Sequence, residues 1–245
     1  MPPGHLQKIT VLLALKKLQR SGVGTLFFGV LPGLFLYLSV QDSFETAMKF
    51  FLFLFPYVFL FLSAKGMKDD IENGPLENVL FSEERFKDYL IYKSRASGFI
   101  GLVYVSAIFG LISILGITTR HFVWLYLAQF IIGCLAGIYY LYLGSFWSFS
   151  MKAGSHVLVL ILAQVLIFVG ILMTVAQRGS FLDYVEKGHF PDIISQLKFL
   201  AVVALFPNVI MIRKLWFYSL EIAFLLALVF IIQNQLIRRV EIRKS

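Results

Sequence analysis

Cysteine is almost absent: Cys134 is the one cysteine in 245 residues, and it lies inside an apolar run. That excludes an internal disulfide and a cysteine-based metal site. Histidine is sparse as well. His5, His121, His156 and His189 are scattered, and no two sit at ligand spacing on one helix, so no metal site is expected. Charged residues make up only 15% of the chain, too few to coat a soluble domain of this length. No Gly-x-x-x-x-Gly-Lys-[Ser/Thr] phosphate loop, Gly-x-Ser-x-Gly or His-Glu-x-x-His occurs, so neither nucleotide hydrolysis nor these hydrolase chemistries has a home here. Internal repeats and low-complexity tracts are missing too.

What the chain has is apolar residues in long blocks. They amount to 59% of the sequence, with a mean hydropathy of +0.82, where soluble domains hold about 45–50%. About 20 mostly apolar residues carry a helix across the hydrocarbon core. The blocks predict an all-α, polytopic membrane protein with six transmembrane helices, at about 22–40, 48–64, 96–117, 122–146, 157–176 and 215–237. These spans use up the length, so residues 1–245 read as a single transmembrane domain.

Lys8, Lys16, Lys17 and Arg20 interrupt the first apolar residues, so no cleavable signal is expected. Residues 1–21 read instead as an amphipathic helix lying in the interface; the plainer alternative is a basic flank of the first span. Residues 177–214 resist assignment as a span. Only 14 uncharged residues separate Lys198 from Arg213, and Pro207 interrupts them. They read as an outer re-entrant or interfacial hairpin.

Orientation follows from lysine and arginine. With the N-terminus inside, 15 of the 22 basic residues fall on the cytoplasmic side, including the Arg238, Arg239, Arg243 and Lys244 cluster. Both termini are therefore expected in the cytoplasm. The net charge of +8 sits at span edges, which marks topology and not a nucleic-acid footprint.

The one strongly charged stretch is the 65–95 loop between the second and third spans. Asn73-Gly74 is a turn signal, and Pro75 suits the first turn of a new helix. Leu76, Val79 and Leu80 then share one face. Asp69, Asp70, Glu72 and Glu77 surround it with acid. Ser82 can cap a further helix that runs through Phe86, Tyr89 and Leu90 into the third span. A short helix with a small apolar face suits docking on a soluble partner; the alternative is an ordinary solvated loop.

The pattern Asp70-x-x-x-Gly74-x-Leu76-Glu77 after the second span, with Lys93 at the start of the third, resembles the signature of ABC-2-type transporter permeases. Asp69-Asp70 ahead of Asn73-Gly74-x-Leu76-Glu77 is most similar to the heme-exporter B permeases of cytochrome c maturation. Ser150-x-Lys152-x-Gly154 before a Leu/Val-rich span adds to the likeness, which covers residues 50–180. The chain has Phe81-Ser82-Glu83 where that family often carries a proline-bearing stretch, and the charged 177–214 segment fits the heme branch poorly. The resemblance implies the membrane subunit of an exporter in the cell (inner) membrane. It further implies a homodimer of permease chains and a coupling helix, within the 69–81 loop, docked on a separate ATP-binding cassette subunit. This chain would then be no enzyme and hold no cofactor, with ATP and Mg in the partner.

Ionisable and amide groups within spans are candidates for a substrate path. Glu221 on the sixth span either lines such a path or snorkels to the interface. Gln129 and Gln164 serve either interhelical hydrogen bonding or ligand contact. Tyr139, Tyr140, Tyr142, Phe146, Trp147 and Phe149 crowd the inner end of the fourth span, as an interfacial aromatic belt or a substrate site. Two other classes remain open at this stage. One is an intramembrane lipid-processing enzyme, for which Asp69-Asp70 lacks the repeated acidic spacing that holds a divalent ion. The other is a non-transporting membrane scaffold.

Overall fold

The structure, a computed structural model, describes residues 30–41, 44–63, 86–118, 123–148, 151, 155–175, 192–208 and 219–242. Among these the fold is all-helical, without a strand. The helices are α1 (Leu31–Gln41), α2 (Phe44–Leu54), α3 (Pro56–Leu62), α4 (Phe86–Thr118), α5 (Trp124–Trp147), α6 (Ser155–Val175), α7 (Ile193–Leu205) and α8 (Ser219–Ile242). The N-terminal 1–21 segment, most of the 65–95 loop and residues 177–191 and 209–214 lie outside the described residues.

Pro56 explains the break between α2 and α3. It has no N–H to continue the ladder, and Phe55 forms the joint, donating to the Phe51 carbonyl at 2.9 Å while its own carbonyl accepts from Val58 at 3.0 Å. The two pieces still act as one apolar stretch, 44–62. With 91–118 and 126–147 it makes three helical stretches among the described residues that are long and apolar enough to cross a membrane. Shorter apolar helices cover 155–170, 193–205 and 219–235. The 33 residues of α4 extend about 50 Å at 1.5 Å each, longer than a hydrocarbon core. Its first turns, from Phe86, therefore reach beyond the apolar window.

The outer surface agrees with a lipid setting. Leu158, Leu162, Val165 and Leu166 of α6 and Leu220, Phe224 and Ile231 of α8 are all exposed. In water, such continuous apolar faces would drive aggregation; against acyl chains they cost nothing.

Helix α5 is the hub, packed most extensively on α3 and α8. Its contact with α2 and α3 runs along small residues. Gly133 abuts the ring of Phe55, Gly137 abuts Phe59, and Gly144 abuts Ser63. The rising order on both sides makes α2–α3 and α5 parallel. On α4 the order reverses, with Gly116 at Phe44 and Gly101 at Phe59, so α4 is antiparallel to both. Two apolar clusters result. One, between α1, α2, α3, α4 and α5, is built on Phe35, Phe44, Phe51, Phe55 and Phe59, with Phe109 and Phe130 stacked at 4.2 Å beside it. The other gathers α3, α5, α6, α7 and α8 around Tyr139 and Tyr140.

Burial decides two points. Tyr139 and Tyr140 are 2% and 0% exposed, so they are not belt residues; they face the interior because α5 is enclosed on that side by α3, α6 and α7. His156, one residue ahead of the 157–176 span read from the sequence, is in the first turn of α6, fully buried, with its Nε2 3.2 Å from the Ser63 carbonyl.

Candidate functional site

A helix of 13 residues spans only about 20 Å, short of the ~30 Å core. Helix α7 is such a helix. It starts with a conventional cap, Asp192 Oδ1 accepting the Ser195 N–H at 2.8 Å. Its first residues, Ile193, Ile194 and Leu197, are exposed, whereas Val203, Phe206 and Asn208 are buried. The C-terminal end is thus inside the bundle. Phe206 leaves the helix at φ −137° and ψ 67°, donating to the Val202 carbonyl at 2.7 Å, and Pro207 prevents continuation.

Helix ends leave carbonyls without intrahelical partners, and burying them unsatisfied is costly. Here side chains from neighbouring helices satisfy them. The Tyr139 hydroxyl donates to the Ala204 carbonyl at 2.6 Å. Gln164 Nε2 donates to the Leu205 carbonyl at 2.8 Å and to the Tyr140 hydroxyl at 3.0 Å. Asn208 Nδ2, just past the break, donates to the Phe53 carbonyl at 2.6 Å. That carbonyl is exposed to such a donor because it lies beside the Phe55–Pro56 joint. Tyr57 stacks on Tyr140 at 5.5 Å, and its hydroxyl and the Asn208 backbone N–H both reach the Tyr140 hydroxyl. The Phe53 and Phe206 rings meet edge to face at 6.1 Å.

The seam lies well within the helices. Gln164 is nine residues into α6, Phe53 nine residues before the end of α3, and Tyr140 seven before the end of α5. At 1.5 Å per residue these are depths of about 10–13 Å. Irregular backbone at such depth persists only where protein encloses it, and the side-chain caps do so here. Two polar atoms in the seam remain unmatched among the described residues: Gln164 Oε1 and Asn208 Oδ1, on residues 3% and 0% exposed.

Of the candidates read from sequence, Gln164 belongs to the seam. Gln129, half-buried on the same helix as Tyr140, is 11 residues away, about 16 Å along the axis. Glu221 is half-buried in the first turn of α8, its Oε2 enclosed and without a hydrogen-bond partner among the described residues. Asp69, Asp70, Glu72, Gly74, Leu76, Glu77, Val79 and Leu80 lie outside the described residues. Sequence reasoning missed Tyr57 and Asn208. For Asn208 the signal was available: a polar residue after Pro207, in an apolar run too short to span. For Tyr57 there was none, since one tyrosine among many phenylalanines carries no mark. No group of three His, Cys, Asp or Glu able to hold a metal ion occurs among the described residues.

Comparison with protein-family models, with curated proteins and with solved structures returns no match to this chain.

Proposed function

We propose that this chain is the transmembrane subunit of an ABC-2-type exporter, in which α3, α5, α6 and α7 line the substrate path and the 69–81 loop couples it to a separate ATP-binding subunit. The observation that carries the reading is the buried end of α7. A passive scaffold has no need of a broken helix whose carbonyls are capped by Tyr139 and Gln164 inside an apolar bundle. Transport proteins use discontinuous helices at bilayer depth because the freed backbone groups give polar contacts where lipid-facing helices offer none. The ATP coupling rests on the Asp70-x-x-x-Gly74-x-Leu76-Glu77 motif.

In this reading the chain crosses the cell (inner) membrane six times, with both termini and the 65–95 loop in the cytoplasm. Residues 1–21 lie along the inner interface, and 177–214 form a hairpin that enters from the outer side and returns at Pro207. Two permease chains and two ATPases make the working unit, and Glu221 and Gln129 border the path nearer its outer end.

The test is capture of an ATP-binding cassette subunit by the tagged chain, with ATP turnover in reconstituted membranes. Changing Leu76 and Leu80 together to Asp places charge on the docking face. Loss of a few apolar anchors costs on the order of 2–4 kcal/mol, a ~30-fold or greater loss of affinity. A double variant that still binds and stimulates the ATPase like the parent rules the coupling role out.

A further inference from the structure

Two carboxamides are each held on a backbone carbonyl at the end of α7, and neither can turn round. Gln164 Nε2 faces the Leu205 carbonyl and Asn208 Nδ2 faces the Phe53 carbonyl. A carbonyl only accepts, so an oxygen in either place would repel it. The orientation of both amides is therefore set by their partners, and Gln164 Oε1 and Asn208 Oδ1 are left as buried oxygens without a donor among the described residues. Both residues flank the same Tyr140 hydroxyl, Gln164 through its amide and Asn208 through its backbone N–H. A third oxygen belongs to the same end. The Val203 carbonyl would accept from residue 207 in a continuing helix, but Pro207 has no N–H. Val203 itself is fully buried.

Tyr140 offers no relief. Its hydroxyl already accepts from Gln164 at 3.0 Å and lies against Tyr57 and the Asn208 backbone. Hard, neutral oxygens at the negative end of a helix dipole favour a hard cation. The lack of any carboxylate among these oxygens argues for one charge and not two, because a divalent ion would stay uncompensated at this depth.

We infer that the end of α7 binds one alkali-metal cation through Gln164 Oε1, Asn208 Oδ1 and the Val203 carbonyl. The site fixes the break in α7 against α3 and α6, and its occupancy locks these helices together. The inference rests on the geometry of the seam and is read without an ATPase, so failure of coupling and failure of cation binding are separate outcomes.

Purified full-length protein is titrated with NaCl or KCl against choline chloride at constant ionic strength, following thermal unfolding, and binding of radioactive sodium or rubidium is measured directly. Saturable binding and stabilisation by sodium or by potassium, absent with choline, are expected; whichever ion acts names the occupant. Asn208→Leu, which removes one ligand, weakens binding tenfold or more. Gln164→Leu, which removes another ligand, weakens it likewise. Should either variant fail to fold, the direct binding measurement on the parent protein decides. No saturable binding to the parent protein, or binding unchanged in a folded Asn208→Leu or Gln164→Leu variant, overturns the assignment.

Discussion

Phe59 is held in a slot with glycine on both sides, and adding one methyl group to that slot has a calculable effect. A Cβ at Gly137 would stand 2.7 Å from Phe59 Cε2 and closer still to Cδ2. Ordinary contact begins at 3.4 Å, so the ring must retreat by at least 0.7 Å, the difference of these two values. Its retreat is blocked, because Gly101 of α4 closes the other face, where a Cβ would also lie 2.7 Å from the ring. Phe59 is fully buried, so no exit to the surface exists. Overpacking of this kind costs about 1–3 kcal/mol, and the absence of slack places Gly137→Ala toward the upper end. Against this, replacing a helical glycine by alanine gains about 0.5–1 kcal/mol of backbone entropy. The net loss is about 1–2 kcal/mol, or a fall in Tm of roughly 2–8 °C for a chain of this size. Gly110 on α4 supplies the control: nothing lies within 4 Å of its would-be Cβ, so Gly110→Ala shows only the entropic gain. Phe59→Leu in the Gly137→Ala background vacates the space and recovers part of the loss, giving a coupling on the order of 1 kcal/mol in a double-mutant cycle. Thermal unfolding in detergent micelles reads all of these. If Gly137→Ala is as stable as Gly110→Ala, the close approach of α3 to α5 is wrong.

In a Cys134→Ser background, single cysteines placed in 65–95 resist membrane-impermeant reagents in sealed cells, and a reporter fused after Ser245 stays cytoplasmic; labelling from outside, or an outer reporter, breaks the six-span topology. Glu221→Leu weakens transport or assembly several-fold if the carboxylate borders a polar path, and an unaltered variant assigns it to the interface. Asp192 provides a pH test. The side chain and then the backbone N–H of Ser195 hold its carboxyl below the usual carboxylate range. A depressed value in the folded state means that the cap contributes in full above the unfolded value of about 3.9 and fades as pH falls through the folded one. Parent protein therefore loses stability relative to Asp192→Asn on acidification through that window, and parallel profiles refute the cap's role.

The class of this protein was legible in its residues, because transfer into lipid depends on summed hydropathy and run length, which are one-dimensional. The apolar stretches at 44–62, 91–118 and 126–147 fall where composition puts them, and α7 stops at Pro207 because proline lacks the N–H that any helix would need there. Gln164 was singled out on the same ground: an amide in an apolar run needs a partner wherever it lands. Which partner it finds was not legible. The pairing of Gln164 with Tyr140 and Leu205, of Tyr139 with Ala204, and of Asn208 with the carbonyl beside the Phe55–Pro56 joint spans 24 to 155 residues of sequence. No local pattern encodes such separations. Tyr139 and Tyr140 show the difference most sharply. In sequence they are two tyrosines near the end of a span, where aromatic belts occur. Whether they face lipid headgroups or the interior depends on which helices enclose α5, and that was decided only when Gly133 and Gly137 let α2 and α3 pack against it and α7 ended beside it.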